Sequence, residues 1–114
     1  MSDQFVHLHL HSQYSLLDGA IKFDELFDEV EKQGMSSVAL TDHGNLFGAY
    51  DFYKKAKDKG IKPIVGCELY IAKDHLNKSS ENNKTHHLTV LAKNLQGYEN
   101  LCTLVSIGHL KGFY

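Results

Sequence analysis

Val6-His7-Leu8-His9-Leu10-His11-Ser12 alternates apolar residues with histidines at period two. In an extended strand, side chains two apart share a face, roughly 6.6–7 Å from one another. Val6, Leu8 and Leu10 are therefore expected on one side, with His7, His9 and His11 on the other. Three imidazoles in one row make poor core filling, because each buried ring nitrogen needs a partner. They make good ligands for a borderline metal, since neutral imidazole is the commonest protein donor to such ions. The plainer alternative is a half-exposed strand with its histidines in water.

Downstream, the pattern changes to a helical one. Phe23, Leu26, Phe27 and Val30 recur at i, i+3, i+4 and i+7, which predicts a helix over about 22–33 with one buried stripe. Asp24 and Glu25 suit its first turn, and Gly34 supplies the stop. Ser37-Val38-Ala39-Leu40-Thr41 reads as a short strand covered on both faces, emptying into Asp42-His43-Gly44-Asn45. A second helix, about 46–59, turns Ala49, Phe52, Tyr53 and Ala56 inward and ends at Gly60. Pro63 opens a third strand that runs to Ala72, at a position where the missing N–H is tolerated. Residues 73–85 form a polar loop, 86–92 a fourth strand, and 97–108 a last helix presenting Tyr98, Leu101, Leu104 and Val105. Strands alternating with helices predict an α/β fold with right-handed crossovers and a parallel sheet. In such folds the chemistry gathers at the carboxyl ends of the strands.

With 114 residues the chain is one domain at most, and its 42% hydrophobic and 23% charged content is that of a globular protein. A net charge of −2 gives no overall basic field to advertise nucleic-acid binding. The lysines that do cluster, Lys54, Lys55, Lys57 and Lys59, read as a solvated helix face. Cys67 and Cys102 are isolated thiols, spaced for neither a zinc knuckle nor a disulfide scaffold. No signal core or membrane-length apolar run is visible, so the expected setting is a cytoplasm without membrane contact.

Histidine is the residue in excess, with eight copies. Asp42-His43 is a carboxylate–imidazole pair on a tight turn, open to two readings. In one, His43 is a ligand and Asp42 either accepts from it or faces the substrate; in the other, the pair is an Asx-type turn with a surface histidine. Asp18 beside Gly19 reads as a turn residue. Glu68 is sharper, because it interrupts an apolar strand, and an unpaired buried carboxylate needs a cation or good donors. A metal meets that need, and one carboxylate can bridge two ions. Of His86 and His87, neighbours on a strand, one must point each way. His75 and His109 carry no distinguishing signal.

His9-Leu10-His11-Ser12, Tyr14-Ser-Leu-Leu-Asp18-Gly19, Thr41-Asp42-His43-Gly44-Asn45, Gly66-Cys67-Glu68 and His87-Leu-Thr-Val-Leu-Ala92 together resemble the PHP (polymerase and histidinol phosphatase) family. Thr41–Gly48, Gly60–Gly66 and Gly97-Tyr-Glu-Asn-Leu101 look like the branch that opens the large subunit of bacterial replicative DNA polymerases. Five separated blocks in the right order cover nearly the whole chain. The resemblance implies part of a distorted (βα)7 barrel with two or three divalent metal ions, zinc, manganese or iron, at the strand ends. It implies His9, His11, Asp18, His43, Glu68 and His87 as ligands, Glu68 bridging. Asp42 and Glu68 are the candidates for catalytic work, with Asp42 orienting a water or leaving group. His7 stands where many family members carry Asp, and takes a supporting place behind the ligands.

The implied chemistry is metal-assisted phosphoester hydrolysis, such as 3′–5′ exonuclease proofreading, within a polymerase that acts on DNA alongside other replisome subunits. A non-catalytic scaffold and a free-standing phosphatase of the histidinol-phosphate type are the alternatives. Family domains are more than twice this long, so residues 1–114 are expected to be the N-terminal part of a truncated domain. An open half-barrel exposes sheet edges, so self-association of the piece is expected. Since His87 opens its strand while the other ligands close theirs, the third strand is expected to overrun the rim. The chain would then turn back to bring His87 over the site.

Overall fold

A computed structural model describes residues 5–14, 21–72 and 86–110. The elements in chain order are α1 (Phe23–Lys32), β1 (Ser37–Leu40), α2 (Ala49–Asp58), β2 (Lys62–Ile71), β3 (His86–Leu91) and α3 (Leu95–Leu110). Among the described residues the strands form one sheet in the order β1-β2-β3. The architecture is mixed α/β.

The core forms where the helical stripes meet β1. Phe23, Leu26, Phe27 and Val30 of α1 pack with Phe52 and Ala56 of α2, with Val38 and Leu40, and with Ile61. Phe27 lies 5.5 Å from Phe52 and 6.3 Å from Phe23, centroid to centroid, an aromatic triangle completed at 5.6 Å between Phe23 and Phe52. Burying each such ring stabilises by roughly 1.5–3 kcal/mol. Both helices end in the same way. The amides of Met35 and Ile61 bond back to the carbonyls of Val30 and Ala56, across Gly34 and Gly60 at φ +76° and +72°. That αL step is one glycine takes readily, and it delivers Met35 and Ile61 onto the core.

β1 and β2 pair in parallel, as the intervening helix requires, with Ser37 opposite Lys62 and Leu40 opposite Val65. β2 and β3 pair antiparallel, with Gly66 opposite Leu91 and Ile71 opposite His86. The parallel pairing expected across the strand–helix–strand succession is met at β1 and β2, and β3 adds to it in the antiparallel sense. The polar stretch 73–85, expected as a loop, lies outside the described residues, and the antiparallel register brings the start of β3 beside the end of β2. Gly66 sits where a Cβ would collide with the carbonyl of Val90, so the close approach of the two strands depends on it.

The 6–12 stretch is extended but lacks a regular ladder. The amide of Ala39 bonds to the His7 carbonyl, and that of Thr41 to the Leu10 carbonyl. Three residues on one side thus answer two on the other, and the extra residue breaks the pairing, as in a bulge. Leu10 packs on the core while Leu8 is exposed, so the expected apolar face is only partly realised. Two helix stripes also need correction. Tyr53 of α2 is exposed, its ring carrying the Lys57 ammonium 5.8 Å from the centroid. In α3 only Leu101 is fully buried, and Leu104 faces outward.

Candidate metal centre

The parallel pairing of β1 and β2 does not end at Leu40. After a two-residue gap, His43 bridges to Glu68 in the same register. The Glu68 amide bonds to the Asp42 carbonyl, and the Glu68 carbonyl accepts from the Gly44 amide, both at 2.9 Å. These two bonds clamp Glu68 beside the turn that carries His43. The Glu68 side chain enters the interior and is 4% exposed.

Four imidazoles surround it. Nε2 of His9 and of His11 lie 2.8 and 2.5 Å from Oε2, and His43 Nδ1 lies 3.4 Å from the same oxygen. The other oxygen, Oε1, is met by His87 Nδ1 at 2.6 Å. The rings also crowd one another, His11 and His43 at 3.9 Å between centroids and His9 and His11 at 5.1 Å. Burial alone pushes the Glu68 carboxyl up. Hydrogen bonds from His9 and His11, the field of His43 and a hydrogen bond from His87 outweigh it, and hold the group at about 2 against an ordinary value of 4.5. Glu68 is thus an anion at any physiological pH.

Two donor sets emerge, His9–His11–Glu68 and His43–Glu68–His87, each with its ligand atoms within 4.8 Å of one another. Imidazole nitrogens with a carboxylate oxygen are a donor mix that zinc, manganese or iron accepts. His9 and His87 are more than half exposed, which leaves the cluster open to solvent on that side. Of the ligands expected from sequence, His9, His11, His43, Glu68 and His87 come together. Asp18 lies outside the described residues. His7 is exposed and sets its ring edge-on against Phe5, 4.7 Å away, rather than against this cluster.

Asp42 is buried to 1% exposure, and both of its oxygens face Ser12. Oδ1 accepts from the Ser12 amide at 2.6 Å and Oδ2 from the Ser12 hydroxyl at 2.8 Å. Its neighbour Thr41 accepts from the Leu10 amide at 2.8 Å through Oγ1. Together they stitch the irregular 7–12 segment to the end of β1, which sets where His9 and His11 reach. Asn45 finishes the turn, donating to the Tyr14 and His43 carbonyls and accepting from the Phe47 amide. Cys67 faces the interior, its thiol donating to the Asp42 carbonyl and pushed up to about 11 by burial, so it serves packing rather than chemistry.

Sequence reasoning passed over three of these contributors. Ser12 reads only as the end of the first strand and Asn45 as a turn residue until the register shows what they bond. His109, near the end of α3, donates through Nε2 to the Gly44 carbonyl at 2.8 Å, tying that helix to the turn beside His43. No periodic signal in the chain points to it, since its partner is 65 residues away.

The profile of the PHP domain matches residues 7–114. The chain is 55% identical over 114 residues to a DNA polymerase III subunit alpha of Borreliella burgdorferi, and 54% over 110 residues to that of Helicobacter pylori. Against the Aquifex aeolicus protein of the same name identity is 50% over 122 residues. These alignments cover 97, 96 and 100% of this chain but only 10, 9 and 10% of the relatives, so the chain spans about a tenth of their length. Among solved structures, a protein of Bifidobacterium adolescentis classed as a metal-dependent phosphoesterase aligns with a TM-score of 0.61 at 20% identity. A Chromobacterium violaceum amidohydrolase with bound sulfate aligns with a TM-score of 0.60 at 26% identity. These matches cover 90 and 92% of this chain, and 33 and 34% of the other.

Proposed function

The chain belongs to the PHP domain family, and from that premise we propose that it forms part of a multinuclear metal centre hydrolysing phosphoesters within a bacterial DNA polymerase III alpha subunit. One observation carries the reading: four imidazoles from three separate segments converge on the two oxygens of a single buried carboxylate. Such a carboxylate, held ionised and shared by two donor sets, would help hold a centre of two or three divalent ions, zinc, manganese or iron. Bound there, such ions supply charge stabilisation for a phosphoryl transition state and lower the pKa of an attacking water.

The chain's own residues divide the remaining work. His9 and His11 hold one side of the centre, His43 and His87 the other, and Glu68 serves both. Asp18 is kept as a further ligand on the strength of its place in the family motif. Asp42, proposed from sequence to orient water or a leaving group, is committed to Ser12 through both oxygens. We assign it a positioning task, keeping His9 and His11 over Glu68. The reaction proposed is removal of a 3′ nucleotide from DNA, water entering at phosphorus as the phosphodiester P–O bond breaks.

Residues 1–114 would then be the N-terminal part of a longer PHP domain, in a cytoplasmic protein that meets DNA and other replisome subunits. Template-directed nucleotide addition would belong to other parts of that protein. Among the described residues no helix is long and apolar enough to cross a membrane. β3 lies at the edge of the described sheet with Leu88 exposed, and self-association of the isolated chain through that edge belongs to the same proposal. A single monomeric peak in size-exclusion chromatography would remove that part alone.

The full-length protein and its His9→Ala variant should be compared by metal analysis and by hydrolysis of 3′-labelled DNA. Metal uptake and hydrolysis that fall together in the variant support the reading. Equal hydrolysis by both proteins overturns it, and metal uptake without hydrolysis in either points to a scaffold.

A further inference from the structure

Two residues beyond Glu68 on β2, Tyr70 shares its face of the sheet, because side chains two apart on a strand do so. The antiparallel register sets His87 directly opposite. The two rings meet edge-on, with centroids 4.9 Å apart and planes at 80°. The Tyr70 ring also runs parallel to the His43 imidazole, at 6.1 Å between centroids and 7° between planes. Its phenol oxygen lies 3.2 Å from His43 Nδ1, the nitrogen that also faces Glu68, so it is the ring rather than the hydroxyl that orients the imidazoles. Space for this arrangement comes from Gly44, where a Cβ would stand 3.3 Å from the Tyr70 ring and where φ is +56°.

Both imidazoles that Tyr70 touches belong to one donor set, His43–Glu68–His87. The other set, His9–His11–Glu68, is placed instead by Thr41 and Asp42. We propose that Tyr70 is a positioning residue for the His43–Glu68–His87 set, holding its two imidazoles in line for an ion and so raising the metal affinity of that set alone. This rests on the metal-centre reading above. Partners that orient ligating imidazoles typically change metal affinity 10–100-fold when removed. Tyr70 is half exposed, so replacing it disturbs little of the core.

The test is titration of metal-free full-length protein with Co2+, followed by its visible absorption, for wild type, Y70L and Y70F. His9→Ala and His87→Ala serve to identify which binding step belongs to which set. In Y70L the step that His87→Ala abolishes should weaken about 10–100-fold with an altered Co2+ spectrum, while the step that His9→Ala abolishes stays unchanged. Y70F keeps the ring and loses the hydroxyl, and should recover most of that affinity. Y70L with wild-type affinity and spectrum at both steps overturns the proposal, as does equal weakening of both. Should Y70L fail to fold, Y70I, which also removes the ring and suits a strand, takes its place: weakening of the His87 step alone supports the proposal, and wild-type affinity at both steps overturns it. A wild-type protein that takes up no Co2+ overturns the metal-centre reading and this proposal together.

Discussion

The two histidine pairs that share Glu68 are held by different kinds of structure. His43 and His87 stand on backbone pairing, one at the bridge that prolongs β1–β2 and the other on the antiparallel ladder of β2 and β3. His9 and His11 stand on a segment without a ladder, held by backbone bonds to Ala39 and Thr41 and by the side chains of Thr41 and Asp42. A ladder spreads its hold on the backbone over many residues, and leaves to a single side chain such as Tyr70 only the aim of the rings. A stitched segment concentrates its hold in a few buried polar contacts, each of which is expensive to leave unmade. The His9–His11 pair should therefore yield to single substitutions that leave His43 and His87 in place.

The largest effect should come from Glu68→Gln, which removes the charge both pairs depend on. Metal affinity at both steps should fall by more than about 100-fold, beyond what loss of a supporting partner causes. Calorimetric titration checks it, and one step surviving intact would show that the pairs do not share the acid.

Asp42→Ala separates the pairs. It strands the buried amide and hydroxyl of Ser12, at about 1–3 kcal/mol for each unsatisfied group. Urea unfolding of the metal-free protein should register a loss of that order. Metal titration should show the His9–His11 step weakened and the His43–His87 step kept. Equal weakening of both would erase the distinction drawn above.

Acid titration gives a smaller effect that both pairs feel. With its folded-state value depressed from 4.5 to about 2, Glu68 contributes stability that is fully present above 4.5 and lost as pH falls toward 2. Metal-free protein should lose stability across that window, and Glu68→Gln should flatten this part of the profile. Smallest of all is His109→Ala, which removes an exposed contact to the Gly44 carbonyl. It should lower stability by at most about 1 kcal/mol and leave both metal steps within severalfold of wild type.

Much of this arrangement was legible in the residues. The stripe Phe23, Leu26, Phe27, Val30 is buried as its spacing requires, because helical periodicity is a local property. The acid inside an apolar strand, Glu68, did signal a partnered site. His9 and His11 reach the same oxygen, as their shared parity allowed, although the strand that would have justified the parity is irregular. β2, the strand expected to run on beyond the other ligands, does continue past Glu68 to Ile71, with Tyr70 opposite His87. The outward turn of Tyr53 and Leu104 was not legible, since a helix stripe names the faces available and only the neighbours select one.

Sequence alone determined the elements near the core, the family, and which imidazoles and acid deserve attention, because each follows from spacing over a few residues or from blocks read in order. Tertiary structure alone decided the register of β3 on β2, that Asp42 turns to Ser12, and that Tyr70 and His109 stand beside the His43 turn. Those outcomes depend on which strands pair and in what register. The contacts involved join residues 15 to 65 positions apart, and no local pattern encodes a choice made at that separation.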